Sequence, residues 1–221
     1  MKIVILTGAG VSQESGIKTF RDSNGLWENH DIHEVAHPKG WKKNRSMVNR
    51  FYNERRKQLH DCQPNAAHYA LAELEKHHDV TIITQNVDDL HERAGSTNVL
   101  HLHGELFKVR DEETGDVYDW KDELPDDAVS EHGNSLRPHI VWFTEQVPNI
   151  DRAQIITSNA DLFLIVGTSL EVYPAAGLSL WTQSHCKTHL FNMDEMTWGN
   201  FDEQHVGPAG TTLPEFIKSL I

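Results

Sequence analysis

An α/β fold, with a Rossmann-like doubly wound parallel sheet and a second, smaller domain formed by two insertions, is what this sequence predicts. Three observations lead there. Short apolar runs recur at residues 2–6, 80–84, 162–166 and 188–192, and such runs suit strands buried on both faces. Helical patterns lie between them, as parallel crossovers require. Two polar stretches, about 22–60 and 105–140, interrupt the alternation.

The elements follow in order. Lys2-Ile3-Val4-Ile5-Leu6 reads as a buried strand that opens into the glycine turn Gly8-Ala9-Gly10, with a helix expected from Val11. Residues 22–60 are rich in Lys, Arg, Asn and His and carry a helical piece at 47–59. Residues 64–76 predict a helix, with Pro64 at the start and apolar residues at helical spacing. Residues 80–84 and 99–103 are strand candidates. The acidic stretch 111–134 carries Gly, Pro and Ser and reads as a loop-rich excursion. The apolar run returns at 140–143, then at 162–166 before Gly167-Thr168-Ser169, and at 188–192; residues 213–221 close the chain as a helix. The expected large domain comprises 1–21, 61–104 and 141–221. The expected small domain comprises 22–60 and 105–140.

The 221 residues suffice for one α/β domain with a sizeable insertion. The net charge of −13 argues against nucleic acid and anionic membranes as partners, since both need a basic face. No apolar run approaches a membrane span and no signal pattern opens the chain, so a cytoplasmic protein is expected. Cys62 and Cys186 are far apart and form no CxxC pair, which predicts neither a disulfide framework nor a thiolate metal site.

Glycines after a strand allow a tight turn and close backbone approach, and the helix start that follows favours negative charge. Gly8-Ala9-Gly10 therefore reads as a diphosphate cradle, although a plain strand-to-helix turn would look the same. The hydride-transfer fingerprint is not met. Gln13 fills the third glycine position, and the acidic residue expected about 20 positions later is missing. Gly167-Thr168-Ser169 repeats the turn after another strand, and ligands bind at that sheet edge. Gln85, Asn86 and Asp88 fall at the same edge, where an Asx-type turn is the alternative. His103 has the residue type of a general base. His101 shares its face by period-two alternation, so the pattern alone does not separate the pair.

Gly8-Ala9-Gly10-Val11-Ser12, Gly16-Ile17, Thr19-Phe20-Arg21, Thr84-Gln85-Asn86-Val87-Asp88-Asp89-Leu90-His91, His103-Gly104, Arg137-Pro138, Val141-Trp142-Phe143 and Gly167-Thr168-Ser169-Leu170 occur in the order seen in sirtuins. The resemblance covers essentially the whole chain and is strongest to the bacterial protein-deacylase branch. It implies NAD-dependent removal of acetyl and succinyl groups from protein lysines, with nicotinamide and O-acyl-ADP-ribose as products. The rival expectations are an ADP-ribosyltransferase or NAD hydrolase on the same scaffold, and a non-catalytic NAD-sensing module.

The resemblance also assigns roles. It places His103 as the catalytic base, which selects it over His101, with Asn86 beside it. Gly8, Ala9 and Gly10 would meet the diphosphate through their backbone, within a cofactor-binding loop that includes Ser12. Ile17 would face nicotinamide, and Phe20 and Arg21 the reacting ribose. Gln85 and Asn86 would contact ribose, and Asp88 would hold the nicotinamide carboxamide. Gly167, Thr168, Ser169, then Asn192, Met193 and Asp194, and finally Ala209 would line the adenosine side. Val141 and Phe143 belong to the segment that would pair with a substrate peptide as an added strand. Tyr52 and Arg55, one turn apart, would bind a succinyl carboxylate, with Ala36 leaving room for the acyl chain. The implied partners are acyl-lysine peptides or proteins, and a monomer is expected.

Two departures stand out. Most sirtuins hold the small domain with four zinc-binding cysteines, yet residues 108–136 contain none, and Asp111 stands where the first ligand would be. The second insertion is thus a degenerate zinc-module-like segment for which no metal is expected. Packing through Val117, Trp120 and Leu124 would hold it. In addition, Thr144 replaces the usual glycine after Trp142-Phe143, where a Cβ restricts the backbone.

Overall fold

Apolar runs that cannot alternate must be covered on both sides, and the computed structural model shows how. It describes residues 1–18, the backbone of 26–27, and residues 30–221. In chain order the elements are β1 (Lys2–Thr7), a 3₁₀ helix (Ala9–Ser15), β2 (Leu26–Trp27), β3 (His30–Asp31), α1 (Ile32–Val35), α2 (Pro38–Lys43), α3 (Arg45–Asp61) and α4 (Ala66–Leu74). There follow β4 (Asp79–Thr84), α5 (Leu90–Ala94), β5 (Val99–His101), β6 (Gly104–Asp111), β7 (Val117–Asp119) and β8 (Leu136–Ile140). The chain ends with α6 (Ile150–Ser158), β9 (Leu162–Val166), a 3₁₀ helix (Ala175–Trp181), β10 (Lys187–Asn192), β11 (Glu203–Val206) and α7 (Ala209–Ile217).

The main sheet has six strands in the order β11-β10-β9-β1-β4-β5, all parallel. The chain builds outward from β1 through β4 to β5, returns to β9 on the other side, and continues to β10 and β11. The strand order reverses between β1 and β9, the position where such sheets bind ligands. Period-two alternation splits each strand. Ile3, Ile5, Ile82 and Leu164 pack with Leu71, Leu74, Leu213 and Ile217 of α4 and α7. Val4, Leu6, Ile83 and Phe163 pack with Ala153 of α6 and with Ala175 and Leu178.

The helices start where side chains satisfy their first N–H groups. On α4 the Asn65 carboxamide accepts the Ala67 N–H, and the His68 ring meets the Asn65 N–H, a reciprocal cap. On α3 the Asn44 side chain accepts from Met47. The helix expected from Val11 is instead the tighter 3₁₀ helix from Ala9, ended by Gly16 at φ 91°.

Apart from the main sheet and the helices packed on it, a second body is built around α3 and a separate sheet. β7-β6-β8 is an antiparallel sheet, and α3 lies against it. Phe51, Tyr52 and Leu59 of α3 share a core with Trp41, Leu106, Ile140 and Trp142. Arg56, only 1% exposed, donates through Nε to the Leu106 carbonyl at 2.9 Å and through Nη1 to Asn53 at 2.7 Å. Asn53 also exchanges hydrogen bonds with the Leu124 backbone, so the acidic excursion docks on α3.

That excursion packs around Val109, Leu124 and Leu136, with Tyr118 and Trp120 at the edge. Val117 does not take part, as it is 44% exposed; strand alternation turns Tyr118 inward instead. Where a thiolate was the family expectation, Asp111 is buried and gathers four donors. They are Ser130 Oγ at 2.6 Å, Asn134 Nδ2 at 3.2 Å, and the N–H groups of Glu113 at 2.8 Å and Thr114 at 3.1 Å. Burial alone would raise its pKa, but these donors outweigh burial and hold the carboxyl well below the usual range.

A depressed carboxyl stabilises the fold above the pKa of the unfolded chain, about 3.9, and that contribution is lost as pH falls through the folded value. Asp111→Ala should therefore lower the melting temperature at pH 7 and bring acid unfolding to higher pH. Thermal melts across a pH series test this; an unchanged acid limb would remove Asp111 from the account.

Candidate functional site

Two strand-to-helix turns meet at the switch point. The Gly8 N–H donates to Val166 O at 3.0 Å and the Gly10 N–H to Gly167 O at 2.8 Å. A methyl group on Gly10 would lie 2.7 Å from Gly167 Cα, and one on Gly8 2.7 Å from Thr168 Cβ. Gly167 itself adopts φ 62°, and a Cβ there would meet the Val11 nitrogen at 2.4 Å. These glycines thus serve close backbone approach. The N–H groups of Gly8 and Gly10, expected on a diphosphate, are committed within the protein. Those of Ala9, Thr168 and Ser169 have no acceptor among the described residues, so three donors at this sheet edge suit an anionic ligand.

Gln85 ties three strand ends together. Its N–H reaches Thr7 O at 2.9 Å and its side chain reaches Thr168 Oγ1 at 3.0 Å. Behind it lies a buried polar network. Ser12 Oγ donates to Asp88 at 3.0 Å and accepts from Asn86 Nδ2 at 3.1 Å, with His68 Nε2 at 3.4 Å. Burial pushes the Asp88 pKa up to about 6, against the Leu90 N–H and the Ser12 hydroxyl. Thr7, on the next strand end, bonds Thr84 at 2.8 Å and His91 at 3.1 Å. Burial holds both His68, at about 4, and His91 below the ordinary histidine value, so both are neutral. The sequence reading gave neither histidine a role. The signal was the cap spacing from Asn65 to His68, which buries the ring it recruits.

The strand expected over 99–103 ends at His101, which leaves His103 in the bend before β6, and the two histidines differ in chemistry. His101 has an acceptor at each nitrogen: Glu92 Oε1 2.8 Å from Nε2 and the Asn86 carbonyl 3.2 Å from Nδ1. Burial opposes its charge, but Glu92 and the carbonyl outweigh burial and raise its pKa. His101 is thus an ion-paired imidazolium and a poor base. Among the described residues His103 has one partner, the Gln85 carbonyl 3.0 Å from Nδ1. A carbonyl only accepts, so Nδ1 carries the proton and Nε2 keeps its lone pair. Burial lowers the His103 pKa against that carbonyl.

A pocket beside the glycine turns is lined by Gly10, Glu14, Gly167, Asn192, Met193 and Ala209, among others. Asp194 is exposed and does not line it. Ile17 is half-buried against the second core. Phe20 and Arg21 lie outside the described residues.

The chain leaves His103 through Gly104, at φ 83°, into the second body. Val141 N–H donates to His103 O at 2.9 Å, Trp142 N–H to Glu145 at 2.8 Å, and Phe143 N–H to Ala36 O at 2.9 Å. All three N–H groups are internal, so a guest strand here would find the carbonyls of Val141 and Phe143. Ala36 is buried and Phe143 exposed. Tyr52 is fully buried and its hydroxyl accepts the Trp142 indole N–H at 2.9 Å. The Arg55 guanidinium lies 4.5 Å from the centre of the Phe51 ring with a side chain only 15% exposed. Glu145 holds Arg137 at 2.8 Å and Arg110 at 3.0 Å, which pins the turn containing Thr144.

The model of the Sir2 family matches residues 8–174. A Helicobacter pylori protein named NAD-dependent protein deacylase is 57% identical over 193 residues, 87% of this chain and 83% of the relative. The crystal structure of a Sir2 homolog–NAD complex superposes with a TM-score of 0.92 at 40% identity, covering 99% of this chain and 89% of the other. A structure of Sir2 bound to acetylated peptide matches with a TM-score of 0.80 at 29% identity, over 99% and 91% of the two chains.

Thr144 adopts φ 75°, a left-handed conformation that a β-branched residue strongly disfavours. Such strain costs about 1–3 kcal/mol, and glycine recovers it less about 0.5–1 kcal/mol of backbone entropy. Thr144→Gly should therefore stabilise the protein by about 1 kcal/mol in denaturant unfolding; a loss of stability would contradict the strain.

Proposed function

The chain belongs to the Sir2 family, and from that premise we infer an NAD-dependent protein-lysine deacylase whose base is the Nε2 of His103. The observation that carries this reading is the His103 Nδ1–Gln85 carbonyl contact. It selects one tautomer and leaves a neutral acceptor beside the glycine turns.

When bound, NAD supplies the ribose carbon that takes the acyl oxygen and the ADP-ribose that leaves with the acyl group. The residues present fit it. Ala9, Thr168 and Ser169 offer N–H donors for the diphosphate. Asn192 and Ala209 flank the adenosine side, with Gly8, Gly10 and Gly167 letting the chain approach closely. Gln85, Asn86, Ser12 and Asp88 form the polar wall toward ribose and carboxamide, with Ile17 at its apolar side. His103 Nε2 accepts a ribose hydroxyl proton, and its ring does not rotate away while Nδ1 is bonded to Gln85.

The substrate is an acyl-lysine peptide or protein. It lies along residues 141–143, pairing with the carbonyls of Val141 and Phe143, and its acyl chain passes Ala36. Tyr52 and Arg55 give the site a preference that includes succinyl-lysine. Burial raises the Tyr52 pKa, so the phenol stays a donor, and an oxygen that accepts from Trp142 still carries its own O–H. No described helix is long and apolar enough to cross a membrane. The net charge of −13 disfavours nucleic acid as a partner.

Nicotinamide release should require acyl peptide; release without peptide would favour NAD hydrolysis instead. His103→Ala should lower kcat by at least about a hundredfold, the usual share of a general base, with NAD affinity retained by calorimetry. Because burial lowers the His103 pKa, the base stays neutral through the ordinary histidine range, about 6.5. As pH falls, kcat/KM should drop in a step centred near 6 as Asp88 takes up a proton, with His103 protonation adding to the loss below the ordinary histidine value. A fall centred above that range would exclude His103 as the titrating base. Arg55→Met should weaken succinyl-lysine by about 1.5–3 kcal/mol in kcat/KM, the value of a charged hydrogen bond, and acetyl-lysine far less. Equal losses would rule out a carboxylate pocket.

A further inference from the structure

We propose that His189, Glu203 and His205 form a divalent-metal site suited to Zn²⁺, on the outer edge of the main sheet and sharing no residue with the deacylation site. His189 lies on β10, and Glu203 and His205 are two apart on β11, so all three side chains share one face. His189 is the direct cross-strand partner of Glu203, and Phe191 that of His205, which places the three within reach of one another.

The ligand atoms already converge. His189 Nδ1 is 3.1 Å from His205 Nε2 and 3.7 Å from Glu203 Oε2, and His205 Nε2 is 3.8 Å from the same oxygen. The point equidistant from these three atoms lies about 2.1 Å from each, the length of Zn–N and Zn–O bonds. It is the one such three-ligand group among the described residues. Two imidazoles and a carboxylate are a zinc donor set, with a fourth position for water. The only ion-pairing partners of Glu203 among the described residues are these two histidines.

The rings are held from behind. His205 stacks on Phe191 with centroids 4.3 Å apart and planes 6° apart, and Phe216 of α7 contacts both histidines. The two imidazoles lie 13° from coplanar with their nitrogens facing, so one proton is shared between them. A cation takes the place of that proton: the His189 proton moves to Nε2, and rotation of the rings about the soft χ2 torsion, by roughly 40° from the N···N line, turns both lone pairs toward the ion. Glu203, whose side chain is 64% exposed, is the arm that closes on it. Bound metal would clamp β11, joined to β10 by only four residue pairs, to the rest of the sheet.

The test uses the full chain after chelator treatment, titrated with Zn²⁺ by calorimetry and with Co²⁺ by visible absorption. One equivalent should bind, with the intense bands of tetrahedral Co²⁺ and a rise in melting temperature. Glu203→Gln should weaken binding at least tenfold without changing the metal-free melting temperature, and His205→Gln should abolish the Co²⁺ bands. If His205→Gln does not fold, Glu203→Gln decides alone. Binding unchanged in the variants would place the metal on other histidines and overturn the proposal, as would failure of the unaltered chain to bind.

Discussion

Everything at the functional edge depends on two backbone turns lying closer than side chains would permit. Gly10 donates to Gly167 across the switch point, and no Cβ fits on Gly8, Gly10 or Gly167. This contact makes the ends of β1 and β9 a single surface. Gln85, bonded to Thr7 and Thr168, then joins the end of β4 to that surface. The carbonyl of the same Gln85 orients His103. A chain of short contacts therefore runs from the glycine turns to the candidate base, and a displaced turn would be felt at Nε2. Hydrogen bonds confined to backbone and buried side chains transmit such shifts because close-packed interiors yield little.

Charge is distributed with the same economy. His101 and His103 are two residues apart, yet among the described residues one faces a carboxylate and a carbonyl while the other faces a carbonyl alone. Partner count, not burial, separates imidazolium from imidazole here, since burial lowers both. Asp88 follows the converse logic. Its burial opposes charge, and two donors only partly offset that, so it sits near its titration point.

The legible part of this chain was the part governed by period. Strands with unbroken apolar runs lie where the sequence puts them, since burial on both faces tolerates nothing else; Leu162–Val166 matches to the residue. Polar edge elements gave no such signal. Glu203–Val206 is a strand because β10 offers it hydrogen bonds, not because its residues prefer one. Gly104–Asp111 alternates only loosely and passed as part of an insertion. Among site residues, the glycine turns, Gln85 and His103 were readable because motif and strand end coincide. The N–H commitments of Gly8, Gly10 and residues 141–143 were not, because they depend on which backbone lies opposite. Arg56 illustrates the same limit. Among Arg55, Arg56 and Lys57 nothing in the sequence marks the middle one as buried; the Leu106 carbonyl across the core does.

The second body shows how a fold can keep a lobe whose expected thiolates are missing. A carboxylate with four donors does locally what four thiolates on a cation do, drawing separate stretches of chain to one point. It differs in reach and in strength. Asp111 gathers residues 113, 114, 130 and 134, all within its own excursion, and leaves the placement of that excursion to α3. Asn53 and Arg56 supply the placement through Leu124 and Leu106. The same helix carries Tyr52, whose hydroxyl meets Trp142, and the turn after Trp142 is held by Glu145 and Arg137. Helix α3 is therefore both the anchor of the acidic excursion and the wall behind the peptide segment. Loosening the Asp111 cluster should leave residues 141–143 in place, whereas loosening α3 should move both.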